Sequence, residues 1–180
     1  SNGKKISWND AIEMFKDRSG HAGPSTWADG RYPQGEDDFP VSGVSWYEAQ
    51  AYARFAKKEL PTGDHWGLAR GETTFVIRWP QMGGYALFAP FSNINPNGAV
   101  QVGSLNGTTS FGAFDMAGNV REWCTNDTQF GKLLRGGGWN SNSYEFNHTS
   151  QAPAFDRSET NGFRCVRYLD GPQPQPVYRI

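Results

Sequence analysis

Twenty-two glycines and 11 prolines interrupt this chain of 180 residues, about 18% against a usual 12% or so. Both residue types break or bend regular backbone, so long uninterrupted helices and strands are excluded. The residues left to fill a core are unusual too. Only 37% are hydrophobic, yet 14% are aromatic and seven are tryptophan. Helical bundles and parallel doubly wound sheets need Leu, Ile and Val runs that are missing here. The expectation is one loop-rich domain with a core made of rings, at a length that suits a single core.

Lysine and arginine number 17 against 18 aspartates and glutamates, a net charge of -1. Such a balance leaves no basic footprint, so neither nucleic acid nor an anionic membrane is an expected partner. No apolar run nears the roughly 18 residues of a membrane span. The start, Ser1-Asn2-Gly3, has no Met and no apolar leader, and residues 169–180 read as a Pro-rich tail or linker. The domain is expected over residues 4–168, as a piece of something longer. Cys124 and Cys165 leave two readings open, one disulfide or two reduced thiols. With no CxxC or HxxxH beside them they do not make a zinc site.

Local patterns predict an α+β domain with two to three short helices followed by short strands joined by long loops. Ser7-Trp8-Asn9-Asp10 fits a capping box, with Trp8, Ala11, Ile12 and Phe15 on one face and Gly20 as the stop. Ser45-Trp46-Tyr47-Glu48 is a second box. Behind it Ala49, Tyr52, Ala53 and Ala56 share a face, Arg54, Lys57 and Lys58 the other, and Pro61 is the expected end. Thr62 caps a further short helix that stops at Gly71. Residues 20–44 read as loop. Strands are expected at Phe75–Ile77, Ala99–Val102, Leu133–Arg135 and Phe163–Val166.

Five segments taken in order carry a resemblance. They are Pro40-Val41-Ser42-Gly43-Val44-Ser45-Trp46-Tyr47-Glu48-Ala49, Leu60-Pro61-Thr62 before Trp66, and Gly112-Ala113-Phe114-Asp115-Met116-Ala117-Gly118-Asn119-Val120-Arg121-Glu122-Trp123. Arg135-Gly136-Gly137-Gly138-Trp139 and Asn161-Gly162-Phe163-Arg164-Cys165 complete the set. Together they resemble the formylglycine-generating enzyme, or sulfatase-modifying factor, family, which implies an elaborated C-type lectin-like fold with short antiparallel strands and much coil. Pro24-Ser25-Thr26-Trp27, Gly30-Arg31-Tyr32-Pro33 and Phe155-Asp156-Arg157-Ser158 are similar to modules joined to bacterial serine/threonine protein kinases. Membership of a membrane-anchored kinase would place the module outside the cytoplasm, and otherwise within it. The chain itself has no phosphate loop and no HRD or DFG motif. It also lacks the strand that opens the family domain, which would leave a sheet edge open to homodimerisation.

The resemblance implies where chemistry would sit. Oxidases of the family use two cysteines just beyond the Gly-Gly block, and those positions fall on Ser141 and Phe146. Neither side chain can ligate Cu(I) or form a mixed disulfide, so no copper and no formylglycine synthesis are expected. Asp115, Gly118, Val120 and Glu122 match a calcium turn, with two carboxylates and two carbonyls as hard donors. The competing reading has Asp115 capping a turn and Glu122 paired with Arg135 or Arg164. Trp139, Asn140, Ser141, Asn142, Tyr144, Phe146 and His148 mix rings with amides and hydroxyls, as recognition loops do, and with Arg157 form the candidate ligand contacts. The expected partner is a small molecule, peptide or protein bound by a catalytically silent module. Two alternatives stand beside it. One is an enzyme using Glu145, His148, Asp156 and Arg157; the other is a variable binding protein of a diversity-generating retroelement.

Overall fold

The computed structural model describes residues 23–28, 30–71, 89–94 and 97–169, with the single positions 7, 10, 16 and 20. The helix expected after Ser7 and the strand at Phe75–Ile77 lie outside the described residues.

Helix α1 spans Trp46–Phe55 and begins with the capping box its sequence promises. The Ser45 hydroxyl accepts from the Glu48 amide, and the Glu48 carboxylate accepts from the Ser45 amide at 2.8 Å. Ala49 and Ala53 are fully buried, while Tyr52 and Phe55 are 55% and 85% exposed. The helix ends at Ala56 rather than at Pro61. Lys57 takes a left-handed conformation at φ 55°, and the Lys58 amide then donates back to the Ala53 carbonyl at 2.8 Å, closing the last turn without glycine. Helix α2 spans Gly63–Arg70, capped by Thr62 and stopped by Gly71 at φ 94°.

Among the described residues four strands make a mixed sheet in the order β3-β2-β1-β4. Strand β1 is Arg121–Thr128, β2 is Gly131–Arg135, β3 is Ser150–Ala152 and β4 is Asn161–Gly162. The β1–β2 and β2–β3 pairs are antiparallel, whereas β4 runs parallel to β1. Trp123 faces Leu134 and Asp127 faces Lys132, so β1 bulges between those two pairings. Successive side chains of a strand point to opposite faces, and this sheet is packed on both. Trp123 and Leu134 join Val44, Ala49, Ala53, Leu60 and Ala152 on the α1 side. Cys124 and Leu133 join Trp66 and Met116 on the α2 side.

Both cysteines are free thiols. Cys165 packs against the first cluster and Cys124 belongs to the second.

Two expected strands are replaced by other pairings. Ala99–Val102 forms no strand: the Val102 amide donates to the Asp38 carbonyl at 2.9 Å, and Val100 pairs with a side chain. The Asn119 amide group accepts from the Val100 N–H at 3.0 Å and donates to the Val100 carbonyl at 3.1 Å. In Phe163–Val166 only Val166 pairs, through a single bridge to Glu59. The pairing with β1 comes two residues earlier, at Asn161 and Gly162. No helix among the described residues is long and apolar enough to cross a membrane.

Candidate functional site: a polar cleft beside the 136–148 loop

After β2 the chain turns through Gly136, Gly137 and Gly138, and the missing side chains are structural necessities. Gly137 has φ 71°, and a Cβ there would lie 2.1 Å from the Phe146 ring. A Cβ on Gly138 would lie 2.8 Å from Thr160. The loop can therefore close over Phe146 on one side and lie against Thr160 on the other. The Trp139 amide donates to the Asn119 carbonyl at 2.7 Å. The Gly138 amide donates to the Ser141 hydroxyl at 3.1 Å, and the Ser141 amide to the Gly138 carbonyl at 2.9 Å. A short 3-10 turn, Ser143–Asn147, follows. Glu145 reaches back so that Oε1 accepts from the Asn142 side-chain amide at 3.1 Å. Arg70 of α2, 5% exposed, donates to the Phe146 carbonyl and pins the loop from beneath.

These constraints shape an open cleft of about 430 Å³ lined by Arg121, Asn140, Ser141, Glu145, Ser158, Glu159 and Thr160. Its wall is hydroxyls, an amide, two carboxylates and one guanidinium. Arg121 opens β1. Its amide donates to the Thr160 carbonyl at 2.7 Å and its Nη2 to the Thr160 hydroxyl at 3.0 Å. Its Nε is buried without a hydrogen-bond partner. Burial pulls the Arg121 pKa down, against the opposing charges of Asp156 and Glu145.

Of the expected ligand contacts, Asn140 and Ser141 line this cleft. Trp139 is half-buried at its edge of the loop, and Asn142 and His148 are exposed. Tyr144 belongs to the 3-10 turn. Phe146 is 1% exposed and packs beneath Gly137, so it supports the loop instead of meeting a ligand. Arg157 lies elsewhere, donating to both oxygens of Glu48 at 2.9 and 2.7 Å. The four residues of the alternative enzymatic reading are likewise spread apart. Glu145 lines the cleft, Arg157 holds α1, and Asp156 accepts from the Ser158 amide and the Asn161 side chain. Arg121, Ser158, Glu159 and Thr160 were outside the expected set. The sequence signal for Arg121 was an arginine inside an otherwise scaffold-like motif, at the position where β1 begins.

The Asp115–Glu122 turn shows a different balance from a cation cage. Glu122 is 5% exposed. Its Oε2 accepts from the Trp66 indole N–H at 2.6 Å and from Arg164 Nε, and its Oε1 accepts from Arg164 Nη2 at 2.6 Å. Burial lowers the Arg164 pKa, but the charge and hydrogen bonds of Glu122 and the charge of Asp115 outweigh it, and the net shift is upward. Asp115, at φ 55°, accepts from the Gly103 amide at 2.7 Å. The Arg164 guanidinium thus takes both oxygens of Glu122, the ion pair of the competing reading, while Asp115 accepts a backbone amide. No group of three or more His, Cys, Asp or Glu gathers among the described residues.

The thiols offer no redox site beside the loop. Cys124 is fully buried, and desolvation, followed by the charge of Glu122, pushes its pKa far up. A protonated buried thiol is neither a soft-metal ligand nor a nucleophile.

Comparison with known proteins follows the same line. Residues 4–169 match the sulfatase-modifying factor enzyme 1-like domain. The serine/threonine-protein kinase pkn1 of Chlamydia pneumoniae is 29% identical over 73% of this chain and 24% of its own length. The formylglycine-generating enzyme of Streptomyces coelicolor is 29% identical over 76% of this chain and 55% of that enzyme. The chain therefore spans about a quarter of the kinase and about half of the enzyme. Among solved structures, Treponema denticola variable protein 1 superposes with a TM-score of 0.58 at 18% identity, covering 86% of this chain and 78% of the other. That likeness establishes the α+β, C-type lectin-like fold. With scaffold motifs, fold and matched length in agreement, this chain belongs to the sulfatase-modifying factor enzyme 1-like domain family.

Proposed function

We propose that this domain is a catalytically silent member of its family, used as a ligand-binding module within a larger bacterial protein. The carrying observation is the fate of the two positions where the family's oxidases hold thiols. Ser141 spends its oxygen on a backbone turn, and Phe146 is sealed in the core. Beside them the fold still presents a shaped, polar cleft, and polar groups set in a concave rigid frame are how binding sites gain specificity. Fold alone does not assign a function; the residues in the cleft support the reading. The likeness to the pkn1 kinases supports attachment to a larger protein. The fold shared with Treponema denticola variable protein 1 fits a non-catalytic module.

The test is an oxidation assay on a peptide carrying a CxPxR motif, with Cu(I) and oxygen supplied. Mass spectrometry is expected to find the peptide cysteine unconverted. Copper-dependent formation of formylglycine would overturn the proposal.

A further inference from the structure

We infer that the cleft binds a small zwitterion of the α-amino-acid class, with the ligand carboxylate on Arg121 and its ammonium on the Glu145–Glu159 rim. This rests on the reading of the cleft as the binding site.

Arg121 is fixed at both ends. Its backbone is tied to Thr160 and its Nη2 to the Thr160 hydroxyl, which orients the guanidinium. A guanidinium carries five N–H donors in a rigid fork. Here Nη2 has a partner, Nε is buried with none among the described residues, and the side chain lines the cleft. Burial works against its charge, and the neighbouring carboxylates Asp156 and Glu145 act on it through space without touching it. Beyond the Thr160 hydroxyl such an arginine has donors to spare, and a carboxylate matches its planar fork best.

Two carboxylates lining the same cleft supply the other half. Glu145, which lines the cleft, gives Oε1 to Asn142 and carries a second carboxylate oxygen, Oε2. Glu159 is exposed on the same cleft. Ser141 has accepted the Gly138 amide and retains its own proton to donate. A simple anion would gain Arg121 but meet two glutamates. A simple cation would gain the glutamates but meet Arg121. A neutral polyol would dehydrate all three charges without pairing any of them. A ligand bearing both charges satisfies both kinds of group, and the like-charge contacts reject the single-charge competitors. A cleft of about 430 Å³ suits a free amino acid, whereas a peptide terminus would present only one charge.

The experiment is isothermal titration of the domain with the twenty free amino acids. Their N-acetyl derivatives (anion only), their amides (cation only) and glucose run in parallel. At least one free amino acid is expected to bind about tenfold more tightly than either of its derivatives. Arg121→Met should abolish that preference, Arg121→Lys should keep part of it, and Glu145→Gln with Glu159→Gln should weaken binding about tenfold. Thermal melts of each variant separate lost binding from lost folding. Equal binding of a derivative, or no amino acid bound up to about 10 mM, overturns the inference. Glucose or a single-charge derivative bound in the cleft and excluded by Ser141→Trp overturns the charge assignment alone, with the binding-module reading intact. Formylglycine synthesis in the copper assay would instead overturn that reading.

Discussion

Glu122 and Arg164 show how much one pair can organise. The carboxylate is held by two guanidinium nitrogens and one indole N–H, and Arg164 also donates to the Phe114 carbonyl at 3.0 Å. The pair joins β1, α2 and the segment after β4. The two halves are not equivalent, because the Arg164 side chain is 26% exposed and that of Glu122 only 6%. Removing the arginine strands a buried anion, whereas removing the acid leaves a cation that can reach water. Arg164→Met is therefore expected to cost about 3 kcal/mol and Glu122→Gln clearly less, as read from urea unfolding midpoints. Equal costs would mean that the exposure difference has no energetic weight.

At the scale of elements, the loop from Gly136 to His148 is built around absent side chains. Gly137→Ala must accept both a left-handed backbone and a Cβ that overlaps Phe146. It should cost at least about 2 kcal/mol, and the amide signals of the cleft should shift while α1 stays in place in NMR spectra. The helices were legible from residues, since Ser45 with Glu48 and Thr62 with Gly71 are local signals that cap two ends of short segments. Strand β1 was not, because both its faces are packed and it bulges, so Arg121–Thr128 carries no alternation of polar and apolar residues. The apparent strand at Ala99–Val102 failed for a complementary reason. Val100 there pairs with the side chain of Asn119, which no periodicity announces. In the cleft, Asn140 and Ser141 could be read from the loop, while Arg121 and Thr160 meet only through the parallel pairing of β1 with β4.

For the molecule as a whole, a sheet covered on both sides puts the two thiols in separate environments. Cys124 sits in the α2-side cluster with its pKa raised, first by desolvation and then by Glu122, from a starting value of 9.0. A pKa raised by folding gives stability that is complete below the unfolded value and lost as pH climbs above it. Unfolding free energy should thus fall above pH 9 by up to about 1.4 kcal/mol per pH unit from this residue. Cys124→Ala should flatten that decline even though it lowers stability at neutral pH. Denaturant titrations at a series of alkaline pH values check both statements.

The bond between Arg157 and Glu48 spans 109 residues, and the indole bonds from Trp46 to Cys124 and from Trp123 to Val44 span 78 and 79. Contacts so remote in the chain form slowly. During synthesis the capped start of α1 leaves the ribosome well before its arginine, a delay on the order of ten seconds at cellular translation rates. Throughout that interval the apolar faces of Ala49 and Ala53 have no sheet to cover them. Helix α1 is made early and secured late, and a nascent chain of this kind is a natural client for a chaperone.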